Sequence, residues 1–91
     1  MEIQSLYKLK TKFVAREVGN ELIIVPLSGN VAQMNALFTL NETGKFIWDN
    51  ATDNNSIEDI VMLMTDTFDI DSQTAKKDID TFLQKLETTL V

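Results

Sequence analysis

Thr39-Leu40-Asn41-Glu42-Thr43-Gly44-Lys45-Phe46-Ile47-Trp48-Asp49 carries the switch from strand to helix in a chain of 91 residues. Thr39 and Leu40 close the run Ala36 to Leu40 (ALFTL). In that run Ala36, Phe38 and Leu40 share one face and Leu37 and Thr39 the other, as a short strand requires. Asn41 is a good helix N-cap, and Glu42 places negative charge in the first turn, where the helix dipole favours it. The helix runs to about Asn50, with Phe46, Ile47, Trp48 and Ala51 as its apolar content. The only tryptophan, beside Ile47 on a short helix, reads as core.

Before this stretch, Phe13 to Val18 (FVAREV) and Leu22 to Leu27 (LIIVPL) are two β-rich runs. Gly19-Asn20 between them is a two-residue linker of the kind that closes a hairpin with positive φ. Pro26 cannot donate a ladder hydrogen bond, so it sits at an unpaired position or near the strand's end. Ser28-Gly29-Asn30 signals a loop that continues to Asn35. Met1 to Lys12 shows weak periodicity and reads as a loose N-terminal arm, leaving 13–91 as one domain.

After the stretch, Asp49 to Asn55 is a polar turn. Ser56 with Asp59 forms a capping box, and Ile57, Ile60, Val61, Met64 and Phe68 repeat at helical spacing. Met62 and Leu63 fall partly outside that face. Asp69-Ile70-Asp71 breaks the pattern, and Asp71 caps a last helix with an apolar stripe of Ala75, Ile79, Phe82, Leu83, Leu86 and Leu90. The order is strand, strand, strand, helix, helix, helix. A three-stranded antiparallel sheet acting as the wing of a helix-turn-helix-like bundle is the expected architecture, in the α+β class.

Composition narrows the function. There is no cysteine and no histidine, which excludes disulfides, thiolate and imidazole metal sites, and Cys/His or Ser/His nucleophilic pairs. No run approaches the roughly 20 apolar residues of a membrane span, and the first residues hold no signal-peptide core. The cytoplasm is the expected location, with no membrane partner. The net charge is −6 with eight dispersed basic residues, which argues against nucleic acid, since duplex binding rests on Lys and Arg neutralising phosphates. Asp66, Asp69 and Asp71 lack the glycine and spacing of an EF-hand loop and read as helix-end residues. No cofactor or metal is expected.

The third strand offers a more specific possibility. In the sheet order 1-2-3, Ala36 to Leu40 is an edge without the Lys, Pro or bulge that usually blunts one. A bare edge beside a helix is a template for strand addition by a peptide. The alternative is an edge covered by the N-terminal arm or by a second copy in a homodimer.

Leu40-Asn41-Glu42-Thr43-Gly44, Ile47-Trp48, Ser56-Ile57-Glu58-Asp59-Ile60-Val61, Phe68-Asp69-Ile70-Asp71 and Asp78-Ile79-x-x-Phe82-Leu83 together resemble the PqqD family. This is the family of coenzyme PQQ synthesis protein D, also described as the RiPP precursor peptide recognition element. The resemblance runs from about Phe13 to the C-terminus. It implies a non-catalytic role: binding the leader segment of a ribosomally made precursor peptide and presenting it to a modifying enzyme, often a radical SAM protein. It also implies that the leader adds as a strand to the third strand, here Ala36, Leu37, Phe38, Thr39 and Leu40, and lies against the third helix. Lys76, Ile79, Asp80 and Leu83 are the groove residues expected there. Members that serve PQQ itself tend to have Gln-Ser-Ala where this chain has Glu42-Thr43-Gly44, which points away from PQQ. Two other readings remain: a winged-helix DNA-binding regulator, and a structural subunit docking on an enzyme.

Overall fold

A computed structural model describes residues 2–27 and 38–90. The elements run α1 (Ile3–Lys10), β1 (Phe13–Val18), β2 (Glu21–Pro26), β3 (Phe38–Leu40), α2 (Glu42–Asn50), α3 (Ile57–Phe68) and α4 (Ser72–Leu90). The three strands form one antiparallel sheet in the order β1-β2-β3. The α+β class and winged arrangement match the expectation from sequence. The expected third strand is described only from Phe38 onward; Ala36 and Leu37 lie outside the described residues.

Local chemistry accounts for the boundaries. Val18 pairs with Glu21, so Gly19-Asn20 is the whole β1–β2 loop. Gly19 has φ +62° while Asn20 does not enter positive φ, the pattern of a type II′ turn with glycine at its first central position. Asn41 Oδ1 accepts the Gly44 N–H at 2.8 Å and starts α2. Ser56 and Asp59 exchange two hydrogen bonds, 2.9 and 3.2 Å, as a capping box for α3. The Asp71 carboxylate accepts the Thr74 N–H at 2.7 Å at the start of α4. That bond holds the Asp71 carboxyl below its ordinary 3.8. Helix α3 ends on Asp69 at φ 54°, a left-handed conformation that aspartate tolerates better than most side chains.

The inner face of the sheet, Leu22, Ile24 and Leu40, packs on helix residues Ile47, Trp48, Ile60, Met64, Ala75, Ile79, Leu83 and Leu86, all buried. Burying a side chain of this size stabilises by about 1.5–3 kcal/mol. Trp48 is buried, as expected, and meets the Phe13 ring edge-on at 6.2 Å.

The first residues differ from expectation. Instead of a loose arm they form α1, whose Ile3 and Leu6 are buried in the common core. Two apolar residues spaced by three give almost no periodic signal, and an eight-residue helix is not stable alone; tertiary packing supplies what the local sequence lacks. Lys10, at the end of α1, donates to the carbonyl oxygens of Trp48 (2.9 Å) and Ala51 (3.3 Å) at the end of α2. An ammonium at a helix C-terminus satisfies orphan carbonyls and suits the dipole. Burial pulls the Lys10 pKa below its usual value, and nearby Asp49 opposes that shift.

Candidate peptide-binding cleft

Among the described residues β3 pairs on one side only, with β2, through Leu22–Leu40, Ile23–Thr39 and Ile24–Phe38. Beyond its far side lies a cleft of about 460 Å³, in the size range of ligand pockets. One wall is Phe38, Thr39 and Leu40 of β3, continued by Asn41, Thr43, Gly44 and Ile47 of the α2 start. The other is Asp78, Thr81, Phe82, Lys85 and Leu86 of α4. Phe38, Leu40, Ile47, Phe82 and Leu86 make an apolar trough. The polar groups at its rim include Asp78 and Lys85, charges of opposite sign seven residues apart on one helix face.

Gly44 shapes the floor. It is buried in the first turn of α2. A Cβ placed there would lie 3.2 Å from Phe82 Cε1 and 3.3 Å from both Leu40 Cβ and Asn41 Oδ1. The glycine therefore lets the Phe82 ring rest against the first turn of α2 at the floor of the trough.

Of the expected site residues, Phe38, Thr39 and Leu40 line the cleft. The four on α4 do not. Ile79 and Leu83 are buried in the core. Lys76 lines a shallower depression of about 330 Å³ shared with Ile57, Val61 and Met62 of α3. Asp80 is exposed and outside both linings. The residues that do face the cleft, Asp78, Thr81, Phe82 and Lys85, repeat the same i, i+3, i+4, i+7 spacing displaced by two residues, about 200° around the helix. They occupy one flank of the core stripe; Lys76 and Asp80 occupy the other. Gly44 carried an unused signal, because a glycine inside a helix is costly unless close packing requires it.

No group of three metal-binding side chains occurs among the described residues. Lys10 and Asp71, whose titration the fold displaces, line neither wall. No helix among the described residues is long and apolar enough to cross a membrane.

Comparison with known proteins adds two findings. Residues 21–89 match the family described as coenzyme PQQ synthesis protein D (PqqD). A solved structure, TbiB1 in complex with the TbiA(beta) leader peptide, is similar in fold, with a TM-score of 0.69 over 85% of this chain and 84% of that one at 23% identity. No curated protein matches.

Proposed function

The chain belongs to the coenzyme PQQ synthesis protein D family, and on that premise we propose that its cleft binds the leader segment of a ribosomally made precursor peptide as an added strand on β3. The observation that carries this reading is the juxtaposition of an edge strand with an apolar trough. The side of β3 that pairs with no described residue offers main-chain groups, and the half-buried Phe38 and Phe82 offer a place to bury a side chain. That is the pattern of strand addition, with affinity from backbone bonds and specificity from a pocket. The solved neighbour of the same fold was captured with a leader peptide, which supports the reading.

We assign the α4 wall to Asp78, Thr81, Phe82 and Lys85, with Ile79 and Leu83 holding the helix in place from the core. The unit that binds is residues 13–91, buttressed by α1.

In this reading the chain does no chemistry of its own. It holds the precursor in the cytoplasm while a separate modifying enzyme, of the radical SAM type in many such systems, acts on the peptide. The test is an NMR titration of labelled protein with the leader segments of candidate precursor peptides. Shifts concentrated at Phe38–Leu40, Gly44 and Asp78–Lys85 are expected. Shifts confined to other surfaces, or a response to duplex DNA in place of the peptide, would overturn the proposal.

A further inference from the structure

The register of the sheet fixes which main-chain groups β3 presents. The β1–β2 hairpin has a two-residue loop, so Val18 and Glu21 form its closing hydrogen-bonded pair. In an antiparallel ladder the main-chain groups of a strand alternate between its two sides from one residue to the next. Counting along β2 from Glu21, Leu22 and Ile24 turn theirs toward β3, where their partners are Leu40 and Phe38. Thr39, opposite Ile23, therefore turns its N–H and C=O away from β2, to the side of the cleft. Its side chain is exposed, whereas Leu40 is buried and Phe38 packs against the core.

With the cleft taken as a site of strand addition, this alternation constrains the ligand. The peptide residue paired with Thr39 shares its outward face. The residues before and after it face α4, whichever way the peptide runs. Those two side chains are about 7 Å apart. On the opposite wall Phe82 and Asp78 are one turn apart, about 6 Å along α4. A strand lying along α4 thus sets one side chain against the Phe82 ring and the other beside the Asp78 carboxylate.

The fold makes no use of the Asp78 charge. Asp59 and Asp71 cap helices, and Glu17 and Asp49 pair with Lys45. Asp78 is half-buried, and among the described residues no hydrogen bond or ion pair engages its carboxylate. Lys85 on the same wall is seven residues on, about 10 Å along the axis and beyond the reach of an ion pair. A peptide strand laid in the trough takes more water from this carboxylate. A charge losing its water is costly unless a donor replaces it, so the site rejects apolar and acidic side chains there and accepts a cation. Resting on the strand-addition reading, we propose that Asp78 makes the cleft selective for a strand bearing a lysine or arginine two residues from its apolar anchor. Thr39 is the residue whose main chain that strand pairs with.

Random peptides displayed on phage and selected against the full chain test this, with Asp78→Asn, Asp78→Lys and Asp80→Asn selected in parallel. Sequences from the parent should carry Lys or Arg two positions from an aliphatic or aromatic residue. Asp78→Asn should lose that enrichment and bind the parent's best peptide about tenfold more weakly. Asp78→Lys should select Asp or Glu at the same place. Asp80→Asn removes an equal charge from the exposed flank of α4 and should behave as the parent. Hydrogen exchange read by NMR should show the Thr39 amide becoming protected by the selected peptide. Peptides that protect Thr39 but show no basic preference overturn the role of Asp78 and leave strand addition standing. A basic preference that Asp78→Asn retains, or that Asp80→Asn abolishes, does the same. Peptides that leave the Thr39 amide unprotected, or a selection without binders, overturn both.

Discussion

Replacing Gly44 by alanine separates stability from binding. In a helix the change from glycine contributes at most about 0.5–1 kcal/mol. Against that, the new methyl sits 3.2 Å from Phe82 Cε1 and 3.3 Å from Leu40 Cβ and Asn41 Oδ1. Overpacking of that kind costs about 1–3 kcal/mol when neighbours cannot move. Leu40 is buried, and Asn41 is tied to the Gly44 N–H. Phe82 alone can yield, because its ring is half-buried on an open trough. It yields into the trough. The expected result is a net change in folding stability within about 2 kcal/mol. Peptide affinity falls because the space for one apolar anchor worth about 1.5–3 kcal/mol is lost, a drop of about 10- to 100-fold. Urea unfolding and fluorescence anisotropy with a labelled leader peptide measure the two quantities on the same protein. A Gly44→Ala protein that is folded and binds the leader as the parent does would refute the placement of the peptide between α2 and α4.

Two further predictions concern the helix ends. Asp69 sits at φ 54°, where glycine carries no steric cost, so Asp69→Gly should stabilise by about 0.5–1 kcal/mol. Thermal unfolding should show a midpoint higher by about 2–8 °C for a domain of this size; a lower midpoint would show that the aspartate side chain contributes more than its backbone costs. Asp71 is held below its ordinary 3.8 chiefly by the Thr74 backbone N–H. A carboxylate whose pKa is lowered by folding stabilises above its unfolded value, and that contribution disappears as pH falls through the lower, folded value. Asparagine caps without titrating, so Asp71→Asn should lack this part of the acid destabilisation below pH 3.8. Parallel loss of stability by both proteins in denaturant titrations from pH 2 to 6 would count against it.

Much of this architecture is written locally. The three N-caps Asn41, Ser56 and Asp71 act through side chains within three residues of the groups they satisfy, and Gly19-Asn20 closes its hairpin the same way, so each is legible in the sequence. The place of β3 at the end of the strand order β1-β2-β3 among the described residues follows from chain order. Two features were not legible, for one physical reason. Helix α1 holds only Ile3 and Leu6 in the core, and α4 has polar residues on both flanks of its stripe. Which flank faces β3 depends on how α4 packs on α2 and α3, a contact between residues about 40 positions apart. The spacing of the groove residues could be read, but not their rotation about the helix axis.

The two walls of the cleft also come from distant parts of the chain, Phe38–Ile47 and Asp78–Leu86. An unfolded chain cannot bring them together, so a ligand seated there binds the native state alone. Folding and binding are then linked: a peptide at about 100 times its Kd adds about 2.7 kcal/mol to the unfolding free energy. In a 91-residue chain that raises the melting midpoint by about 10–20 °C. A peptide that occupies the cleft can thus be found among candidates by the temperature at which this protein melts, without labelling either molecule.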